Sequence, residues 1–266
     1  HFALGHLCRR RGDYDRAVRV HEHLLARSDI GRKDRDRAQH ALALDFLKAG
    51  LLDRAETALA KLEGSDFEGE ALLALLSIYE RSRDWPQARR IAEKLDQAQP
   101  GSFVGRLAHY LCEEAELAQR AGNSLQAFKL LDEAVTRVPS LARGWLAISA
   151  LRTQVGDLAG AYTALEKLNQ HAPQALPLAA RHLVELARKL GKEADAIRML
   201  EAAHARAPSL DVSEALASLG ADDRSRRERF LSHLAQEPSL VMATRWLEGE
   251  TLSDPTAQAH VKNALE

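Results

Sequence analysis

The chain carries the same helix–turn–helix signature six times at intervals close to 34 residues, and this period limits what it can fold into. Each signature ends on an alanine: Ala17, Ala55, Ala88, Ala127, Ala161 and Ala196. The successive spacings are 38, 33, 39, 34 and 35 residues. A helical hairpin of this length cannot bury its apolar faces alone, so each copy needs neighbours built in the same way. The period therefore predicts a stack of helical hairpins.

Residues 141–173 are the clearest copy. They predict two amphipathic helices with a turn at Gly156–Asp157 and an end at Pro173. Glycine at the turn can adopt the left-handed conformation that ends the first helix. The closing alanine is expected where the two helices lie nearest, because a larger side chain would push them apart. Small residues on the first helices allow the same close approach; they are Gly5, Ala43, Ala115 and Ser149.

A period near 34 with these marks in phase is typical of the tetratricopeptide repeat, or TPR. We predict an all-α fold, a TPR-type right-handed helical solenoid of antiparallel helix pairs. Six repeats are expected in residues 1–208, at about 1–30, 36–67, 69–100, 108–139, 142–173 and 177–208. Residues 209–266 are expected to form a degenerate seventh repeat and C-terminal capping helices. The two long spacings predict loop insertions at about 29–35 and 100–105.

The prolines agree with this division of the chain. Five lie where a repeat should end: Pro100, Pro139, Pro173, Pro208 and Pro238. The other three are expected at helix starts, where the missing N–H costs nothing; they are Pro86, Pro177 and Pro255. None is expected inside a helix.

Composition narrows the function classes. The 37 Lys+Arg and 38 Asp+Glu leave a net charge of −1, which gives no support to a nucleic-acid partner. No apolar run approaches the length of about 18 residues that a membrane span needs, so we expect no membrane insertion by this segment. Cys8 and Cys112 lack C-x-x-C partners and are expected as reduced, packed thiols.

The sequence shows no convergent catalytic set. It lacks a glycine-rich phosphate loop and the H-E-x-x-H and G-x-S-x-G motifs, and no two histidines are three or four residues apart. Glu201 and His204 match half of a di-iron motif but are better interpreted as an exposed pair. His21 occupies a position usually apolar in TPRs and is predicted to be a hydrogen-bonded core histidine. We therefore predict a non-enzyme with no cofactor or metal site in this segment.

A row of basic residues is the strongest functional signal. In each repeat we consider the residue two positions before the place of the turn glycine. These six residues are Arg10, Lys48, Arg81, Arg120, Gln154 and Lys189. Arg143 and Arg181 should lie near this row, as should Arg9 and Arg188, with Glu80, Glu116 and Glu185 as counter-charges. First helices line the groove of a TPR array, so the row predicts a site for an acidic or carboxylate-bearing segment.

Two alternatives weigh against a specific site. The last turn of any helix favours Lys and Arg through its dipole and free carbonyls. The asparagines that clamp a terminal carboxylate in chaperone-binding TPRs are missing, which disfavours that class. The matching positions hold His6, Leu44, Ser77, Glu116, Ala150 and Glu185.

Residues between the repeat marks go beyond a generic TPR. They are Ala3–Gly5, R-R-G-D-Y-D-R-A-V-R-V-H-E-H-L-L at 10–25, A-G-L-L-D-R-A-E at 49–56, S-D-F at 65–67 and H-Y-L-C-E-E-A at 109–115. With them the chain resembles the bacterial lipopolysaccharide assembly protein B family over essentially its whole length. Because the chain begins at His1 in mid-pattern, we expect it to be an excised piece.

The resemblance implies a location and partners. Proteins of that family carry an N-terminal membrane anchor, cytoplasmic TPRs and a C-terminal rubredoxin-like knuckle of two C-x-x-C pairs that binds metal. The implied place is the cytoplasmic face of the bacterial inner membrane, through an anchor outside this segment. The implied role is an adaptor that promotes degradation of the lipid A pathway deacetylase by the membrane-bound FtsH protease and answers to an inner-membrane regulator.

Two other functions stay open at this point. TPR arrays of this kind also resemble the non-catalytic half of O-linked N-acetylglucosaminyl transferases, whose catalytic half would need an α/β nucleotide-sugar domain. The chain could equally be a generic peptide-binding TPR module with unrelated clients. Oligomerisation is left open by the sequence.

Overall fold

The computed structural model describes residues 2–219 and, beyond them, only positions 231, 235, 259 and 262. Within 2–219 every regular element is helical. Six α-helices precede Gln99: α1 Phe2–Arg10, α2 Tyr14–Leu25, α3 Arg32–Lys48, α4 Leu52–Ala60, α5 Glu68–Ser82 and α6 Trp85–Ala98. Six more complete the hairpins: α7 Val104–Arg120, α8 Ser124–Arg137, α9 Ala142–Gln154, α10 Leu158–His171, α11 Ala180–Leu190 and α12 Glu193–Arg206. A 3₁₀ segment, Pro173–Ala179, precedes α11, and α13 spans Leu210–Leu219.

The odd-numbered helices α1 to α11 are the first helices of the six predicted hairpins, and the even-numbered helices α2 to α12 are the second. The all-α TPR-type fold is thereby confirmed for the part of the chain that the structure describes. The chain forms two compact units, His1–Leu117 (unit 1) and Ala118–Glu266 (unit 2). This division falls inside α7. The predicted boundary after residue 208 stays a prediction.

Each unit has its own apolar core. Unit 1 packs leucines and alanines around Phe46, Tyr79 and Tyr110. Unit 2 packs them around Tyr162, whose side chain is fully buried. The large core side chains come from first and second helices alike, as expected where each hairpin buries its surface on the next.

In the five hairpins that lie within one unit, the closing alanine lies where the two helices meet. All six closing alanines have no exposed surface. The small residues predicted opposite them are buried as well: Gly5, Ala43, Ala115 and Ser149. In the fifth hairpin the Ser149 hydroxyl donates a hydrogen bond to the Ala161 carbonyl at 2.9 Å, which fixes the distance between α9 and α10. The predicted close approach is therefore observed.

The six hairpin turns share one hydrogen bond. In each, the N–H after the turn donates to the carbonyl five residues earlier at 2.8–3.0 Å, as for Asp157 to Arg152 and Lys192 to Ala187. This bond caps the first helix and needs one residue in the left-handed conformation. The donors of the other four turns are Asp13, Leu51, Asp84 and Asn123. Four of the six donor residues also accept, through their side chains, an N–H of the second helix: Asp13, Asp84, Asn123 and Asp157.

The extra residues of the two long spacings lengthen α3 and α7 at their N-terminal ends. α3 begins at Arg32 and α7 at Val104, inside the segments 29–35 and 100–105 that were expected as loops. The first turn of α3 is already closed by a helical hydrogen bond, from the Arg35 N–H to the Gly31 carbonyl at 2.9 Å. Each helix consequently has 17 residues. The loop prediction was wrong for these residues because spacing gives the number of extra residues but not their conformation.

The prediction that no proline lies inside a helix was also wrong. α10 ends at His171, before Pro173, but Pro177 lies within the 3₁₀ segment instead of starting an α-helix. A 3₁₀ turn can hold it because the Pro177 carbonyl still accepts from the Ala180 N–H. α11 begins only at Ala180. The expectations for Pro238 and Pro255, and for the capping helices, lie outside the described residues.

The third hairpin turn is the exception among the six and supplies a stability test. Arg83 holds the left-handed conformation there with φ of 56°, where the other five turns have glycine. A side chain in this conformation costs about 1 kcal/mol, so Arg83→Gly should raise the free energy of unfolding by about 0.5–1 kcal/mol. Urea denaturation followed by circular dichroism measures the change.

The matched control is Gly122→Ala, at the equivalent position of the fourth turn with φ of 78°. It should lose about 1 kcal/mol for the same reason. A loss of stability in Arg83→Gly, or no change in Gly122→Ala, would contradict the strain assigned to this turn.

Candidate partner-binding surface

The predicted basic residues end a stripe on each first helix. Residues four apart share one side of an α-helix, so each stripe runs along one side of its helix. In unit 1 the stripes are Phe2, His6 and Arg10 on α1, His40, Leu44 and Lys48 on α3, and Leu73, Ser77 and Arg81 on α5. We call these nine residues the first-helix face of unit 1.

Side-chain contacts hold the first helices of unit 1 next to one another. Arg9 of α1 donates to the Ala41 carbonyl of α3 at 2.9 Å. His40 Nε2 of α3 lies 3.2 Å from a Glu70 carboxylate oxygen of α5. The Tyr110 hydroxyl of α7 donates to Glu80 of α5. The stripes of α1, α3 and α5 are therefore neighbours on a continuous surface.

Three cations of this face have no anionic partner among the described residues. Arg10, Lys48 and Arg81 are exposed and form no ion pair there. The carboxylate next in sequence to Arg81 is Glu80, which is engaged by Tyr110 and lies 4.0 Å from Arg106. Burial, together with the Glu80 carboxylate, raises the pKa of the Tyr110 hydroxyl well above its usual 10, so the phenol keeps the proton that it donates. The predicted counter-charge Glu80 therefore accepts a hydrogen bond from Tyr110 and forms no ion pair with Arg81 among the described residues.

The first residues of the three stripes, Phe2, His40 and Leu73, form an apolar and aromatic strip of the face. Leu73 is 51% exposed, and the Arg37 guanidinium lies 4.7 Å from the centre of the Phe2 ring. The His40 ring stacks on Phe67 at 4.7 Å between centroids.

The two histidines of the face add no charge at neutral pH. Burial lowers the pKa of His40 below its ordinary 6.5. Burial and the Arg9 guanidinium lower the pKa of His6. At pH 7 the positive charge of the face therefore comes from Arg10, Lys48 and Arg81.

The corresponding surface of unit 2 has mixed charge. Lys189 is exposed without an ion pair to any described residue, but Arg181 pairs with Glu214 at 2.9 Å. Arg120 is exposed and Arg143 is half-buried, and both have partners of their own. The neutral position of the series, Gln154, accepts a hydrogen bond from the Gln119 amide at 2.9 Å. Glu185 occupies the middle of the stripe on α11, whereas Glu116 on α7 belongs to unit 1 and has a partner of its own.

Arg9 lies near the basic row, where its guanidinium contacts His6 Nδ1 at 2.6 Å, but it belongs to a polar network that is mostly buried. Its side chain is 13% exposed and donates to Asp45 Oδ1 at 2.9 Å. The other Asp45 oxygen lies 2.5 Å from His21 Nδ1, and Asp45 and His21 are both fully buried. His21 is the hydrogen-bonded core histidine that the sequence predicted. A Cβ at Gly5 would come within 2.4 Å of its ring, so α1 needs glycine at this point.

Loss of the shared carboxylate should destabilise unit 1 strongly. Asp45→Asn removes the anion between two buried partners, and breaking a buried ion pair from one side costs about 3–5 kcal/mol of unfolding free energy. Asp66→Asn, at an exposed loop position, is the control and should change it by less than about 0.5 kcal/mol. Urea denaturation of both variants measures the difference. Equal stabilities would show that the network contributes nothing.

The described part of the chain was also searched for a metal site and a membrane-spanning helix. No group of three His, Cys, Asp or Glu residues there could hold a metal ion. Glu201 is exposed and His204 half-buried on α12. None of the described helices has the length and apolar character required to cross a bilayer.

Comparison with known proteins agrees with the repeat pattern. Residues 1–38 match the tetratricopeptide repeat family model. Over 205 residues the chain is 30% identical to lipopolysaccharide assembly protein B of Escherichia coli strain K12, which covers 76% of this chain and 52% of that protein. The same protein of Haemophilus influenzae strain Rd is 31% identical over 171 residues, 64% of this chain and 43% of its own length. The predicted resemblance is confirmed, and the chain spans about half the length of these relatives.

A solved structure supports the fold alone. The complex of Naa15 and Naa10 bound to HypK-THB contains a chain that superposes with a TM-score of 0.57 at 17% identity. The superposition covers 98% of this chain and 40% of that one.

Proposed function

We propose that this chain, a homologue of lipopolysaccharide assembly protein B, is a non-catalytic adaptor segment whose first-helix face of unit 1 binds an acidic segment of a partner protein. The observation that carries the proposal is the row formed by Arg10, Lys48 and Arg81. These cations are exposed, lack carboxylate partners among the described residues, and border an apolar strip. An acidic, partly apolar segment would satisfy both properties at once.

Helix-end preference alone accounts less well for this pattern. The three cations do stand in the last turn of their helices, where the dipole favours them. The same preference applies to α11, yet there Arg181 and Glu185 give the stripe mixed charge. On α1, α3 and α5, by contrast, each stripe combines an end cation with a middle residue that is not acidic, namely His6, Leu44 and Ser77.

The similarity to lipopolysaccharide assembly protein B suggests which partners to test. We propose the lipid A pathway deacetylase as the bound substrate of degradation, with the membrane-bound FtsH protease and an inner-membrane regulator as further partners. In this account the chain works at the cytoplasmic face of the inner membrane. A metal-binding cysteine knuckle elsewhere in a longer parent belongs to the same proposal.

Charge reversal on the face tests the proposed function. A variant with Lys48→Glu and Arg81→Glu should bind the purified deacetylase at least about fivefold more weakly, because two favourable charge contacts become repulsive. The defect should shrink as salt rises from 0.05 to 0.5 M, since screening weakens exposed charge contacts. Isothermal titration calorimetry or surface plasmon resonance gives the dissociation constants.

The control variant carries Arg19→Glu and Lys129→Glu, two exposed positions on second helices. It has the same change of net charge and should bind within about twofold of the parent chain. Unchanged binding by the face variant, or an equal loss in both variants, would reject the first-helix face as the binding site. Circular dichroism must show the same helicity in all three chains.

A further inference from the structure

A cleft of unit 1 lies away from the proposed binding face. It encloses about 520 Å³ between α2, α3 and α4. Its α3 lining comes from Gln39, Leu42 and Phe46. With 3.6 residues per turn, Leu42 and Phe46 lie on the side of α3 opposite Leu44 and Lys48. One helix therefore presents two different surfaces, and the basic row accounts for only one of them.

The floor of the cleft is apolar. Leu42 and Phe46 are almost fully buried at its base, and Leu25 and Ala58 close it from α2 and α4. The Arg54 guanidinium lies flat over the Phe46 ring, 4.3 Å from its centre, and pairs with Glu22 at 2.8 Å. The volume falls within the range of clefts that accept bulky side chains.

Two cations on the rim have no carboxylate partner among the described residues. Arg35 donates to the carbonyls of Leu25 and Arg27, at 3.3 and 3.2 Å, and so binds only neutral groups. Lys61 is exposed at the end of α4 and forms no ion pair there. The lining also carries the exposed carboxylate Asp53. Because Arg54 pairs with Glu22, Arg35 and Lys61 still outnumber Asp53 by one charge, and this surplus favours a negatively charged partner.

The next cleft along unit 1 lacks this surplus. It encloses about 200 Å³ between α4, α5 and α6. Its Lys94 pairs with Glu63 at 2.9 Å, and its Glu68 accepts from the Gly64 N–H. The larger cleft therefore stands out by its charge as well as by its volume.

We infer that this cleft is a second docking site, for an amphipathic helix of a partner protein that inserts an apolar side chain and places carboxylates beside Arg35 and Lys61. A helix fits a trough between α2 and α4, as in other helix-in-groove contacts. The floor takes the apolar anchor and excludes water around it. The rim then selects acidic flanks. The site is independent of the first-helix face, so the chain can hold two protein segments at once.

A fluorescein-labelled helical peptide tests the site directly. The probe is a 14-residue amphipathic peptide with Leu and Phe anchors on one side and Glu on its flanks. Fluorescence anisotropy should show saturable binding to the full chain. Lys61→Glu should weaken it about fivefold, while Lys129→Glu, an exposed change on α8 of unit 2, should leave it within about twofold.

Two control peptides define the chemistry. Replacing the Leu and Phe anchors by Ala, or the flanking Glu by Lys, should each weaken binding at least about fivefold. No saturable binding below 1 mM, or equal binding of the Lys-flanked peptide, would overturn the inference. So would weaker binding in Lys48→Glu with no loss in Lys61→Glu, because the peptide would then occupy the first-helix face.

Discussion

The close contact between the two helices of each hairpin is the constraint on which the other features depend. In the five hairpins that lie within one unit, closing alanines without exposed surface allow that contact, and a residue with the bulk of leucine at any of these positions would separate the helices. At the fifth hairpin the contact is tight enough for Ser149 to bond the Ala161 carbonyl across it. Because the contact fixes how the first and second helices pair, it also fixes which residues each hairpin leaves at the surface.

Unit 1 uses those surfaces in two ways. The stripes on α1, α3 and α5 carry an apolar and aromatic strip at their first residues and three cations with no carboxylate partner in the described chain. The opposite side of α3 forms the floor of the cleft beside α2 and α4. The Arg9, Asp45 and His21 network ties α1 and α2 to α3 beneath these surfaces, so the stripe of α1 is held against that of α3 by buried hydrogen bonds. Rigid support of this kind favours a binding face that is already formed before a partner arrives.

The sequence predicted the features that follow from periodicity. The hairpins, the buried alanines, the left-handed turns and the exposure of Arg10, Lys48 and Arg81 all depend on spacing along a helix. Features that depend on a partner distant in sequence were missed. Arg9 has the same chemistry as Arg10 but meets Asp45, 36 residues away, and only the packing of α1 on α3 brings them together. The sole visible sign was Asp45 itself, a charge within the apolar run A-L-A-L-D-F-L. The cleft had no sequence signal, since Arg35 and Lys61 resemble ordinary surface cations.

The central claim is that a partner binds the first-helix face of unit 1. Site-specific photocrosslinking tests it most directly, with p-benzoylphenylalanine placed at one of two exposed leucines. Leu73 lies in the apolar strip of this face, whereas Leu125 lies on the second helix α8 of unit 2 and is 68% exposed. With the purified deacetylase, irradiation should give a covalent adduct from position 73 and none from position 125. An adduct from position 125 with none from position 73 would contradict the account.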